Sequence, residues 1–173
     1  MDLKQKIRSI PDFPKKGVVF RDITTLLQDG EAFRYAVDGM LDYCRGKKID
    51  AILGAEARGF IFGAVMAYKL GVGFIPVRKP GKLPYKTRQV SYDLEYGKNV
   101  MQIHVDAVKK GDKILIVDDL VATGGTAKAK VELVEQMGGE VVGLCFLIEL
   151  EFLNPRKILK GYDIFSLIKY ESE

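Results

Sequence analysis

The chain has 173 residues, 47% hydrophobic and 29% charged, which is the composition of a globular protein able to bury its own core, not of a disordered or membrane-embedded one. Its apolar runs, such as residues 141–148, are far too short to cross a bilayer, and the start Met1-Asp2-Leu3-Lys4-Gln5 lacks a basic segment followed by an apolar one, so no secretory signal is read and the cytoplasm is the expected location. The net charge of +4 suits an anionic ligand and equally suits weak nucleic-acid contact, so charge alone selects neither.

No repeat period and no low-complexity linker divides the sequence, so residues 1–173 are expected to form one domain. Residues 31–44 place Phe33, Val37, Met40, Leu41 and Cys44 on one helical stripe. Lys47 and Lys48 end that helix, and residues 49–53 read as a short buried strand. Residues 59–70 are apolar almost all round, the pattern of a helix held between a sheet and other protein. Gly71 stops it and residues 73–77 form the next strand. Residues 80–92 show no clear periodicity and contain Pro and Gly, which predicts an irregular, mobile lid ending near Gly97.

Residues 99–105 alternate Val100, Gln102 and His104 against Met101, Ile103 and Val105, as a half-buried strand does. A central strand over 113–117 precedes a glycine turn and a helix over 126–137, with Ala127, Val131, Val134 and Met137 on one face. Gly138-Gly139 end that helix, and residues 140–148 and 164–168 supply further strands. Strands alternating with helices predict an α/β fold, a mostly parallel sheet with helices on both faces and ligands at the carboxyl ends of its strands. Cys44 and Cys145 stand far apart without companions at metal spacing, and His104 is the lone histidine, so none of the three is given a role.

The residues just after one strand carry the chemistry. Strand 114–117 runs into Asp118-Asp119, and Ala122-Thr123-Gly124-Gly125-Thr126 then opens a helix. Glycines let backbone N–H groups approach an anion, the helix N-terminus adds unpaired donors, and Thr123 and Thr126 add hydroxyls, making a cradle for a phosphate monoester. Ionised carboxylates at Asp118 and Asp119 would repel that phosphate, but they suit the adjacent hydroxyls of a ribose one sugar-width away. No G-x-x-x-x-G-K-[ST] appears and no G-x-G-x-x-G follows a strand, which disfavours a P-loop nucleotidase and a dinucleotide fold. A second strand end, Gly54-Ala55-Glu56-Ala57-Arg58-Gly59, offers backbone N–H groups and a guanidinium; pattern alone weighs an anion site and a surface salt bridge at Arg58 equally.

Residues 117–126 resemble the phosphoribosyl-pyrophosphate (PRPP) motif of the type I phosphoribosyltransferases. The resemblance spans nearly the whole chain and is nearest to the members acting on adenine. It is carried further by residues 10–14 with 17–23, by Glu56-Ala57-Arg58-Gly59-Phe60, by residues 78–84, and by residues 91–98. It implies that family's fold, with a small hood and a lid, and transfer of the 5-phosphoribosyl group from PRPP to adenine, giving AMP and pyrophosphate in purine salvage.

By resemblance, Asp118, Asp119, Ala122, Thr123, Gly124, Gly125 and Thr126 bind the phosphate and ribose. Glu56, Ala57, Arg58, Arg78, Lys79, Lys82 and Tyr96 serve the pyrophosphate, with a cis peptide at Glu56-Ala57. Val19, Phe20, Arg21 and Leu150 form the adenine slot, Phe20 and Leu150 on opposite ring faces and backbone groups of Val19 and Arg21 on the ring edge; from pattern alone both apolar residues read as core. Glu95 and Arg58 are implied as catalytic. The resemblance further implies Mg²⁺ carried on PRPP and water without a protein metal cage, and a homodimer with shared sites, and it implies no nucleic-acid or membrane partner. The alternatives are a different purine base, or a PRPP-sensing regulator that binds nucleic acid. Such regulators usually add a DNA-binding module or alter the base pocket, and here the resembled fold uses the whole chain.

Overall fold

The computed structural model of the protein describes residues 1–94 and 97–172. A 3-10 turn at Leu3–Lys6 leads into β1 (Arg8–Ile10), which pairs antiparallel with β2 (Phe20–Asp22) to make the hood. Helix α1 (Thr24–Gln28) is a single short element. Asp29 then caps α2 (Gly30–Tyr43), its side chain accepting from the N–H groups of Glu31 and Ala32. There follow β3 (Ala51–Ala55), α3 (Arg58–Leu70) and β4 (Gly73–Val77). Gly71 closes α3 at φ 67°, the left-handed cap conformation that glycine adopts at least cost.

Next come β5 (Thr87–Leu94), β6 (Gly97–His104), β7 (Lys113–Val121), α4 (Gly125–Gln136) and β8 (Glu140–Leu150). A 3-10 turn, the short α5 (Pro155–Ile158) and β9 (Ile164–Tyr170) finish the chain.

Five strands form one parallel sheet in the order β4-β3-β7-β8-β9. Alternation along the central strand β7 divides the core in two. Leu115 and Val117 join Ala36, Val37 and Met40 of α2 and Phe62 and Met66 of α3 on one face. Ile114 and Ile116 join Ala127, Val131 and Val134 of α4 on the other, together with Val90, Met101 and Ile103 from β5 and β6. The expected parallel sheet covered on both faces is what the chain forms.

Two expectations need correcting. The segment 80–92 is not irregular throughout, because β5 and β6 pair antiparallel with Val90 opposite Met101, both buried. Polar residues at Thr87, Arg88, Gln89 and Ser91 hide this strand from a periodicity reading, although the buried Val90 packs in the α4-side core. Strand β7 also continues to Val121, so Asp118 and Asp119 lie within the strand, not between strand and cradle.

Candidate active site

The carboxyl ends of β3 and β7, neighbours in the sheet, open into one cavity of about 330 Å³. Each strand end leads into a helix whose first turn has no side-chain cap: α3 begins after Ala57 and α4 after Gly124. Unlike the Asp29-capped α2, both therefore keep their first N–H groups and dipole ends for a ligand. Gly124 has φ 94°, a left-handed conformation that bends the chain from strand to helix, and an added Cβ would stand 3.0 Å from the Pro155 carbonyl oxygen. Among the described residues no hydrogen bond engages the hydroxyls of Thr123 and Thr126, and both residues line the cavity with Ala122. Gly125 is the first residue of α4.

The two acids stand between these helix ends and are not equivalent. Consecutive residues of a strand point to opposite faces, so Asp118 follows Ile114 and Ile116 toward α4, and Asp119 follows Leu115 and Val117 toward α3. Asp118 Oδ2 accepts from the Lys130 ammonium on α4. Arg58 Nε on α3 lies 2.9 Å from Asp119 Oδ2 as an ion pair, yet that buried oxygen has no aligned hydrogen bond. Burial, and after it the Asp118 carboxylate, push the Asp119 carboxyl up to about 7, against the pull of Arg58 and Lys130. Asp119 is thus a cavity-wall residue whose covered oxygen faces a guanidinium without an aligned hydrogen bond, an arrangement that is costly to leave unmade.

On the α3 side the Glu56-Ala57 peptide is cis, as expected. The Glu56 carboxylate is committed within the chain: it accepts from Arg78 Nη2 at 3.0 Å and from the Lys79 N–H at 2.5 Å. The Lys79 N–H, then Arg78, holds the Glu56 carboxyl below its ordinary range despite some desolvation. Glu56 thus places Arg78 and Lys79, which line the cavity, instead of meeting an anion with its own side chain. Lys82 is exposed and outside the cavity wall; its carbonyl accepts a long 3.5 Å contact from Arg78 Nη1.

The expected adenine residues also stand outside this wall. Phe20 joins it through Arg58, whose guanidinium lies 5.2 Å from the Phe20 ring centre. The Arg21 side chain turns away, over the Tyr170 ring at 4.0 Å and donating to Ser9 Oγ at 2.5 Å, so that only its backbone is left for a base edge. Val19 is half-buried beside Phe20, and Leu150 ends β8 against the α2–α3 side of the core. Glu95 and Tyr96 lie outside the described residues.

Sequence reasoning missed Lys130, Tyr92, Asn99 and Met101, all of which line the cavity. Lys130 carried a signal, since it falls between Ala127 and Val131 on the apolar stripe of α4, where a lysine is rarely buried unpaired. Tyr92, Asn99 and Met101 come from β5 and β6 and gave no signal, because no local pattern shows that this ribbon walls the site.

Among the described residues no group of three or more His, Cys, Asp or Glu side chains could hold a metal ion, and no helix is long and apolar enough to cross a membrane. With Asp118 tied to Lys130 and Asp119 to Arg58, the donor set fits a Mg²⁺ that arrives on substrate oxygens.

A family described as the phosphoribosyl transferase domain matches residues 24–167, and the chain belongs to that family. An adenine phosphoribosyltransferase of Thermotoga neapolitana is 61% identical over 170 residues, covering 98% of this chain and 100% of the relative. The crystal structure of adenine phosphoribosyltransferase from Thermoanaerobacter pseudethanolicus superposes with a TM-score of 0.95 at 56% identity over 98% of both chains. That of Saccharomyces cerevisiae, complexed with an imino-altritol bisphosphate and adenine, gives 0.90 at 39% identity over 96% of both. Within its family the chain stands among the adenine phosphoribosyltransferases.

Proposed function

We propose that this protein transfers the 5-phosphoribosyl group of PRPP to adenine, giving AMP and pyrophosphate. One observation carries the reading: two uncapped helix N-termini, α3 and α4, flank an acid pair in a single cavity. PRPP has this outline, with a phosphate at one end, a diol in the middle and a pyrophosphate at the other. The 5-phosphate meets Thr123, Gly124, Gly125 and Thr126; the diol meets the acid pair; the pyrophosphate meets the Ala57-Arg58 turn and the cations Arg78 and Lys79. Phe20, close to Arg58, supports placing the base on the hood side, with Val19, Arg21 and Leu150 around it.

In the reaction the bond from ribose C1 to pyrophosphate oxygen breaks, adenine N9 bonds to C1, and the N9 proton leaves with the departing pyrophosphate, which is basic enough to take it. The chain's part is to hold both reactants in line, to neutralise the departing pyrophosphate and to exclude water from an oxocarbenium-like centre. Arg58, Arg78 and Lys79 contribute the charge, and Lys82 joins them where the segment carrying it approaches. Mg²⁺ bound to the substrate oxygens would supply further charge neutralisation. Glu95 is assigned to hydrogen-bond or protonate adenine N7 while N9 attacks, and Tyr96 to the pyrophosphate side. We further infer a cytoplasmic homodimer built from one domain per chain.

The deciding experiment measures PRPP-dependent pyrophosphate release with Mg²⁺ against a panel of purine and pyrimidine bases. Turnover with adenine alone is expected; turnover with hypoxanthine or guanine in its place would overturn the base assignment.

A further inference from the structure

Lys130 is among the largest fully buried side chains of the molecule, with 0% exposure, yet it carries a cationic head. Burying an ammonium is costly unless a well-placed anion meets it. Its Nζ donates to Asp118 Oδ2 from the second turn of α4. The other oxygen, Asp118 Oδ1, accepts from the Asp119 N–H at 3.0 Å. On the third side α3 closes in, since a Cβ at Gly59 would stand 2.6 Å from the same Oδ1. Asp118 is therefore held from α4, from its own strand and against α3, and has no rotation left with which to follow a ligand. Asp119 is placed otherwise, with Oδ2 buried, facing Arg58 and lacking a hydrogen bond.

We propose that Lys130 is a positioning residue of the ribose site: it locks Asp118 against α4 and so leaves Asp119 as the carboxylate that receives the ribose hydroxyls. The inference rests on the PRPP reading of the cavity and adds a division of labour to it. Each acid has one basic partner, Lys130 for Asp118 and Arg58 for Asp119, but only Asp119 keeps an oxygen without a hydrogen bond. Lys130 itself touches no reacting atom. Without it, Asp118 would lose its basic partner and stand as an unpaired carboxylate on the cavity wall beside Asp119.

The test is Lys130→Met, which keeps the length of the side chain and removes the ammonium. Calorimetric titration with PRPP and Mg²⁺ is expected to show affinity weakened about tenfold, the usual consequence of deleting one charge-assisted hydrogen bond. The KM for adenine should stay within about twofold and kcat within about threefold, because binding energy at the ribose is lost without touching the base or the leaving group. Lys130→Gln, which retains an N–H donor, should lose less than Lys130→Met, and it carries the test if the methionine variant does not fold by circular dichroism. Unchanged PRPP affinity in the folded variants would overturn the proposal, as would equal losses for PRPP and adenine. An unsubstituted protein that fails to bind PRPP would overturn the parent reading together with this one, whereas normal binding by both proteins overturns this one alone.

Discussion

At the scale of single residues the site turns on how each charge is met. The Asp119 carboxyl is pushed up to about 7 by burial and by Asp118, so it holds its proton to higher pH than an ordinary aspartate. Its folded value stands above its unfolded one, so the proton it holds favours the folded state at low pH, and that contribution is lost as pH rises from about 4 through about 7. Ribose hydroxyls donate, so they favour the ionised form, and kcat/KM for PRPP is expected to fall as pH drops below about 7. Asp119→Asn should raise the KM for PRPP about tenfold or more, leave that for adenine nearly unchanged and remove this acid limb; a limb that persists in the variant would assign it to the substrate's own phosphate. Glu95→Leu should lower kcat by about a hundredfold, the lower range for loss of a general acid, with little change in KM for PRPP. Unchanged turnover would remove Glu95 from the mechanism.

Among the elements, the joint between α3 and β7 is the tightest near the site. Gly59 lies where a Cβ would press on Asp118 Oδ1 at 2.6 Å and on the Val117 carbonyl oxygen at 3.3 Å. Because Asp118 is fixed by Lys130, it cannot yield cheaply, and α3 would have to lift away. Gly59→Ala is expected to destabilise the fold by about 1–3 kcal/mol, as overpacking does, and to weaken PRPP binding as α3 carries Arg58 away from Asp119. Denaturant melts and PRPP titrations of the variant check both parts. Stability lost without any loss of PRPP affinity would show that the joint is structural only. The β5–β6 ribbon is the second element that matters, since Tyr92, Asn99, Val100 and Met101 form one wall of the cavity. Its first strand falls in the segment expected as a loose lid, whereas its second was expected as a half-buried strand over residues 99–105, and the two pair. The alternation of β6 is legible in the sequence, while that of β5 becomes so only once Val90 is known to lie opposite Met101 in the core on the α4 side.

For the whole molecule, a ligand that spans two helix ends and two strand ends should fasten the sheet's carboxyl edge. PRPP with Mg²⁺ at about a hundred times its Kd is expected to stabilise the folded protein by about 2.7 kcal/mol, which for a chain of this size raises Tm by roughly 5–10 °C. Ribose 5-phosphate, lacking the pyrophosphate, should give a smaller shift at equal concentration, and an equal shift would argue against a pyrophosphate site at α3. The inferred homodimer predicts a sedimenting mass of twice 19.3 kDa.

The sequence by itself determined the α/β class, the order of the main strands and helices, and the strand–acid–glycine–helix segment proposed to hold a phosphorylated sugar. These are local features, written in periodicities of two and of 3.6 and in residues next to one another in the chain. The tertiary structure alone decided that Asp118 and Asp119 are divided between opposite faces of β7, that Lys130 and Arg58 take one each, and that the polar ribbon β5–β6 walls the cavity. Those pairings join residues from about a dozen to sixty positions apart, and they depend on which helix packs on which face of the sheet. No local pattern records that choice; it is fixed only when the two halves of the core close on the central strand.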